Sequence, residues 1–309
     1  MEAHVHGVST RKVDDLVVAL GIDAGVKKSE VSRICKELDE VVGAFRERRL
    51  DHVRFPYVFL DATYVKAHEG PAVVSKAVVI ATGVTARGDR EVLGLAVGDS
   101  EDGAFWTTFL RSLRSRGLEG VRLVISDAHE GLKGAITKVL LGSSWQRCRV
   151  HFLRNVLSRI PKGSADMVLA AVRTIFAQPD AASAGEQLDE IADKLTPRFP
   201  AVAEMLLEAR TELLAYTAFP IAHWRKIWST NPLERVNKEV KRRTDVVGIF
   251  PDEAGVTRLA GAVLIEIHDE WQVASRRYLS EGSMALLDRL GDDDATKEVD
   301  GARALLLAS

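Results

Sequence analysis

The amino-acid sequence predicts an α/β protein built on a mixed sheet, and three observations carry that prediction. Residues 55–98 contain three successive runs rich in Val, Ile and Leu, parted by short turn-forming segments, as a meander of strands requires. The hydrophobic period then alternates between helical and strand spacing up to residue 150. A stretch dominated by Ala, Leu and charged residues follows, and one long amphipathic segment comes near the end.

Taken in order, residues 8–50 read as a small helical unit. Ser9-Thr10 caps a first helix over 11–20, Gly21 ends it, and Asp23-Ala24-Gly25 makes a turn. A second helix runs over 29–45, with Val31, Ile34, Cys35, Leu38 and Val41 at helical spacing and Ser29, Ser32, Arg33 and Lys36 on the other face. The pair has the form of a helix-turn-helix or of an unspecialised helical hairpin. Strands are predicted over 55–66, 72–85 and 91–98, separated by Glu69-Gly70-Pro71 and Ala86-Arg87-Gly88-Asp89. A helix over 104–115 carries Phe105, Phe109, Leu110 and Leu113 on one side, and Gly117 stops it. A fourth strand over 121–126, a helix over 129–140 and a short strand over 145–150 complete the order β-β-β-α-β-α-β. That is the order of the ribonuclease H-like fold, an antiparallel meander followed by parallel strands with crossover helices. Residues 152–225, punctuated by Pro161, Pro179, Pro197, Pro200 and Pro220, form a helical insertion. The long helix spans 253–278, and an acidic tail follows Leu287. The expected organisation is therefore a helix-turn-helix-like segment (1–50), a first part of the core (51–151), the insertion (152–225), a last part of the core (226–280) and the tail (281–309).

Composition narrows the class. Of 309 residues, 46% are hydrophobic and 28% charged, which is ordinary for a folded domain. No apolar run is long enough to span a membrane and no signal peptide is evident. Two cysteines far apart argue against a disulfide framework and fit a reducing cytoplasm. The net charge of −2 does not announce a nucleic-acid binder, but the basic residues cluster. Arg46, Arg48 and Arg49 form one group; Arg147, Arg149, Arg154 and Arg159 gather with His151; Lys238, Lys241, Arg242 and Arg243 form a third. Such stripes either track a phosphate backbone or are solvated helix faces.

Three acids carry the chemistry. Asp61 interrupts the apolar strand Tyr57-Val58-Phe59-Leu60-Asp61, where a carboxylate costs several kcal/mol unless paired or metal-bound. Asp127 ends the fourth strand, and Glu234 sits in Ser229-Thr230-Asn231-Pro232-Leu233-Glu234. Asp127 has an alternative role as a helix cap. Glu234 has one in a capping box with Asn231 as N-cap and Pro232 at N1. Asp61 has no comparable alternative. In the expected sheet the first and fourth strands are parallel neighbours, so Asp61 and Asp127 face each other and repel unless a cation lies between them. Oxygen ligands suit Mg²⁺, and a third acid supports a pair of ions.

The stretches Gly7-Val8-Ser9-Thr10-Arg11-Lys12-Val13, Ser29-Glu30-Val31-Ser32-Arg33, Leu60-Asp61-Ala62-Thr63-Tyr64, Ser126-Asp127-Ala128-His129-Glu130-Gly131-Leu132, Gln146-Arg147-Cys148-Arg149-Val150-His151 and Ser229 to Asn237, with Trp271 and Arg276-Arg277-Tyr278, closely resemble the Mutator-type transposases of bacterial insertion sequences. The resemblance covers about residues 7–280. It implies an acidic DDE triad at Asp61, Asp127 and Glu234 serving both as catalytic residues and as ligands of Mg²⁺ ions, which Mn²⁺ can replace. It implies strand cleavage and strand transfer by in-line phosphoryl transfer on DNA, with terminal inverted repeats and target DNA as partners, a homodimer or higher oligomer, and a cytoplasmic, nucleoid-associated location. Ser32, Arg33, Lys36, Arg147, Arg149, His151, Arg154, Lys238, Lys241 and Arg242 are the expected DNA contacts. His223, Trp224 and Trp228 either stack a splayed base or pack in the core. The family's Cys-x-x-His signature matches Cys148 and His151, two ligands too few for a zinc site, and is read as a packed thiol with a phosphate-contacting imidazole. Relatives usually carry a further region ahead of the helix-turn-helix-like segment, so a second reading is a shortened, non-transposing DNA-binding derivative that competes with or regulates its parent. A third, a structure-specific nuclease, shares the chemistry but not the motifs.

Overall fold

The structure is a computed structural model that describes residues 28–287 and 289. The predicted first helix with its Ser9-Thr10 cap, the turn at 23–25, the side chains of Ser29, Val31 and Ser32, and the acidic residues 292–294 lie outside the described part.

Helix α1 (Lys28–Glu47) leads into three antiparallel strands, β1 (Tyr57–Glu69), β2 (Ala72–Val84) and β3 (Arg90–Gly98). The β1–β2 register runs unbroken from Tyr57↔Val84 to Glu69↔Ala72, closed by a turn in which Gly70 takes φ 58°. Helix α2 (Gly103–Ser115), strand β4 (Leu123–Ser126), helix α3 (Glu130–Val139) and strand β5 (Ser144–Arg147) follow. Both β4 and β5 join the sheet in parallel, giving the order β3-β2-β1-β4-β5. Helices α4 (Arg149–Leu157), α5 (Ala165–Ile175), α6 (Ala181–Leu195), α7 (Pro200–Glu208), α8 (Arg210–Leu214) and α9 (Ile221–Ile227) make up the helical region. Then come α10 (Asn231–Val247), the two-residue strand β6 (Ile249–Phe250) and α11 (Glu253–Val273). The architecture is a mixed, open α/β sheet with helices on both faces.

Strand alternation divides the core. Val58, Leu60, Val79, Ala81, Leu93 and Val124 face α2 and α3, where Trp106, Phe109, Leu113 and Ile136 are buried against them. Tyr57, Phe59, Val78, Ile80, Leu123 and Ile125 face the other way, against α10, α11 and the helical region. β1 is the pivot. Its first residues pair with β4 through Phe59↔Ile125, and its far end pairs with β6 at Lys66↔Ile249 and Ala67↔Phe250. Between them β1 has no strand on that side among the described residues, and Asp61 sits at this gap.

Three expectations need correction. The fifth strand stops at Arg147 rather than running to residue 150. The Cys148 N–H still bonds β4, at Ser126 O 2.7 Å away, but the Arg149 N–H goes to Trp228 O at 3.0 Å, which turns the chain out of the sheet and into α4. The last long helix ends at Val273 rather than Tyr278, because Ala274 is extended (ψ 125°) and the chain leaves to seat Tyr278 against Arg90 and Lys226. In α1 the buried stripe is Leu38, Val42 and Phe45, while Val41 is 37% exposed. Val42 sets that stripe by packing on Gly261 of α11, where any Cβ would lie 2.4 Å from it.

His268 of α11 stands edge-on to Phe45 with ring centroids 5.4 Å apart, its Nδ1 buried without a partner. Burial, then the charges of Arg48 and His52, push its pKa down to about 3. The imidazole therefore stays neutral in the fold while the unfolded chain takes up its proton below about pH 6.5. Stability is expected to fall between about pH 6.5 and 3 with a slope approaching about 1.4 kcal/mol per pH unit from this residue. Chemical denaturation across that range should show a shallower slope for His268→Leu; an unchanged slope would remove His268 as the cause.

Candidate active site

Each of the three acids is delivered by a different element to the same face. Tyr57, Phe59 and Asp61 alternate onto the side covered by α10. Continuing the parallel register two residues beyond Phe59↔Ile125 sets Asp61 across from Asp127. Asp61 accepts from the Ala62 N–H at 3.0 Å and from Asn237 Nδ2 at 2.8 Å. Asn237 lies one helical turn beyond Glu234 on α10, so the helix carrying the third acid also holds the first.

Neither of the other two acids takes the capping role weighed for it. The N-cap of α3 is His129, whose Nδ1 accepts from the Leu132 N–H at 3.4 Å. Asp127 lies two residues earlier and accepts from its neighbour Ala128 at 2.7 Å. α10 starts at Asn231 with Thr230 as N-cap, not with Asn231 as cap, so Glu234 falls one position beyond the capping-box slot. Glu234 Oε1 is buried and has no hydrogen-bond donor.

His151 stands between the acids. Its Nδ1 is 3.9 Å from Asp127 Oδ2 and its Nε2 is 3.8 Å from Glu234 Oε1. Arg154 Nη2 is also 3.8 Å from Glu234 Oε1. The adjacent Cys148 sulfur raises the imidazole pKa most; burial opposes it, and the charges of Asp127 and Asp61 add to the rise, which reaches about 9. Desolvation pushes the Asp61 carboxyl up as well, to about 6. His151 and the Ala62 N–H oppose this, and Glu234 and Asp127 add to it. The site thus concentrates more negative charge than its fixed cations neutralise.

Cys148 explains the spacing of its motif. Its buried sulfur accepts from the Thr230 hydroxyl at 3.2 Å and the Thr230 N–H at 3.3 Å. This pins the start of α4 to the start of α10, and one turn later each helix presents its polar residue, His151 and Glu234. Ligand atoms of Cys148, His151 and Glu234 all lie within 4.8 Å of one another, so the fold adds an acid that the Cys-x-x-His spacing alone does not contain. With two hydrogen bonds converging on the sulfur in a dry core, its role is to join the helices. Cys148→Ala leaves both Thr230 donors unsatisfied and is expected to lower unfolding free energy by about 1–3 kcal/mol, measured by urea denaturation.

The expected DNA contacts do not all converge here. Arg154 is exposed beside Glu234. Lys238 and Lys241 are exposed on α10, and Arg242 bonds Glu239 at 2.8 and 2.6 Å. Arg149 is stacked 4.0 Å over Trp228 and 5.1 Å over Phe176, while Arg147 lies 5.0 Å over Phe152 and 3.9 Å from Glu212. Arg33 pairs with Glu37, and Lys36 is exposed farther along α1. Trp224 and His223 belong to the core: Trp224 bonds Phe219 O, and the Tyr57 hydroxyl meets His223 Nδ1 at 2.6 Å. Sequence reasoning missed Asn237 and Thr230 as members of the site. The spacing of Asn237 three residues after Glu234 was the available signal.

The profile of a protein family described as "Transposase, Mutator family" matches residues 1–274. The chain is 53% identical over 273 residues to the transposase for insertion sequence element IS1081 of Mycobacterium tuberculosis (strain ATCC 25618 / H37Rv), which is 88% of this chain and 65% of that protein. It is 40% identical over 282 residues to the transposase for insertion sequence element IS256 in transposon Tn4001 of Staphylococcus aureus, covering 91% of this chain and 72% of that protein. With the transposase for insertion sequence element IS406 of Burkholderia multivorans (strain ATCC 17616 / 249) the identity is 42% over 281 residues, 90% of this chain and 72% of the relative. The chain thus spans just under two thirds of the length of the first of these relatives.

Proposed function

The chain belongs to the Mutator family of transposases, and on that premise we propose that it cleaves and joins DNA strands at the ends of an insertion sequence, using Asp61, Asp127 and Glu234. The observation that carries this reading is the meeting of three acids from β1, the end of β4 and α10 around an uncompensated site. The strand order β3-β2-β1-β4-β5, with an antiparallel meander and parallel β4 and β5, supports a ribonuclease H-like core. On this reading residues 152–225 are an insertion between the sheet and the glutamate helix, and α1 is the second half of a DNA-binding helix-turn-helix.

The donor set fits Mg²⁺. It is all oxygen, Asp61 is held partly desolvated and above its normal pKa, and Glu234 Oε1 is a buried acceptor without a donor. Asp61, Asp127 and Glu234 would hold the ions, with Mn²⁺ able to substitute. When bound, the ions supply the polarisation of the attacking water or 3′-hydroxyl and the stabilisation of the leaving oxygen. The protein's part is positioning. Asn237 fixes the Asp61 carboxylate, and Cys148 and Thr230 fix the angle between α4 and α10. Arg154, exposed 3.8 Å from Glu234, would neutralise a phosphate beside the reacting bond, and Lys238, exposed on the same helix as Glu234, would neutralise another. No covalent protein intermediate is needed, because an oxygen nucleophile displaces the 3′ oxygen in line.

Partners on this reading are the element ends and target DNA, held by at least two copies of the chain so that both ends are paired. All three acids are present, which favours the enzyme over a non-cleaving regulator. Incubation of the protein with DNA carrying the element ends should give nicked and joined products with Mg²⁺ or Mn²⁺ and none with chelator. A footprint without cleavage would select the regulator instead.

A further inference from the structure

We propose that an open basic groove beside α9 and the segment after α11 binds the phosphate backbone of duplex DNA flanking the reacting bond. The proposal rests on the transposase reading above. The groove is a cavity of about 710 Å³ lined by Arg90, Lys226, Arg235, Arg276, Arg277 and Tyr278, among others. Five cations meet there against a single acid in the lining, Glu281. Glu281 is bonded to Arg277 at 2.6 Å, and Asp89 lies 3.6 Å from the same guanidinium. Among the described residues no carboxylate pairs with Arg90, Lys226, Arg235 or Arg276. Four like charges around one open cavity need an anion, and Arg235 already lowers the pKa of Arg90 in addition to the larger effect of burial.

The aromatic rings show what kind of anion. Arg90 sits 4.2 Å over Trp271 and 5.0 Å over Tyr278, and Lys226 sits 4.6 Å over the same Tyr278. The Tyr278 hydroxyl donates to Lys226 O at 3.1 Å. The rings are thus covered by cations and hold them in place, so the groove offers charge rather than a free ring face for base stacking. Phosphate, the sequence-independent part of DNA, is the complement.

Its location fits one continuous duplex. Arg90 pairs with Val84 and Val84 with Tyr57, so Arg90 lies two strands over and four residues back from Asp61. Strand geometry makes that about 16 Å, or roughly five base pairs of duplex. Arg235 adjoins Glu234 on α10 and connects the two places. The motif Arg276-Arg277-Tyr278, which has no part in the acid site, thereby gains a role.

The test is the salt dependence of binding of the full chain to a duplex of arbitrary sequence, about 25 base pairs long, by fluorescence anisotropy. Lys226→Gln with Arg276→Gln, both exposed, is expected to weaken binding by at least about tenfold at 0.1 M salt and to lower the slope of log K against log salt by close to two. A double variant with the wild-type slope overturns the groove. A wild-type protein that fails to cleave with Mg²⁺ overturns the enzyme reading, while the double variant's slope still decides the groove. Cleavage by wild type together with an unchanged slope overturns the groove alone.

Discussion

Asp61→Asn is expected to lower metal-dependent cleavage of element-end DNA by at least about a thousandfold and, at the same time, to make the metal-free protein more stable. The first effect follows from removing one of the three acids proposed to hold the metal, a loss of transition-state stabilisation of about 4 kcal/mol or more. The second follows from the pKa. Asp61 is raised from 3.8 to about 6, chiefly by desolvation, so the folded state holds a proton that the unfolded state has lost. Stability from this group is full below about pH 4 and is lost as pH rises through about 6. At pH 7 the ionised carboxylate costs about 2–3 kcal/mol; the neutral amide removes that cost and keeps an acceptor for Asn237. Thermal unfolding at pH 7 without metal should show a higher midpoint for the variant, and added Mg²⁺ should stabilise only the wild type. Full cleavage by the variant would remove Asp61 from the site. A lower midpoint would show that its charge is already compensated.

How much of this was legible in the sequence depended on how local the cause was. Asp61 stood out because a strand four apolar residues deep has no bland use for a carboxylate. The meander was readable from its turns, and the parallel pairing of β1 with β4 followed from element order. The start of α10 was misread by one position because Thr230 and Asn231 are both residue types favoured at caps. The choice was made by Cys148, 82 residues away in sequence. The end of β5 was misplaced for a similar reason: Trp145 to Val150 has strand-like composition, and only the Arg149 bond to Trp228 O turns it into a helix. Arg147 and Arg149 read as part of a basic stripe, yet their guanidiniums lie over the buried rings of Phe152 and Phe176, which charge spacing does not encode. Conversely, the groove collects Arg90, Lys226, Arg235 and Arg276 from four separate segments, so no stripe announces it.

The two glycines of α3 make the sharpest stability contrast in the chain. Gly131→Val is expected to lower unfolding free energy by about 3 kcal/mol, whereas Gly134→Ala, three residues on, should raise it by about 0.5–1 kcal/mol. Both positions are helical, so a propensity argument favours replacing either. Packing separates them. A Cβ on Gly131 would lie 2.7 Å from Gly103 N and 3.1 Å from Asp102 C, backbone atoms at the start of α2 that no rotamer change can clear. A Cβ on Gly134 meets nothing within 4 Å, because that side of the helix faces solvent. Relief of the Gly131 clash requires α2 and α3 to separate, and the first turn of α3 is tied to Asp127 through the His129 N–H bond to Asp127 O at 3.1 Å. The displacement therefore reaches the site. Gly131→Val should lose cleavage even at temperatures where it stays folded, while Gly134→Ala should cleave as wild type does. Urea denaturation gives the stabilities and a gel assay the cleavage. Equal effects at the two positions would show that helix propensity, not the α2–α3 contact, governs this element.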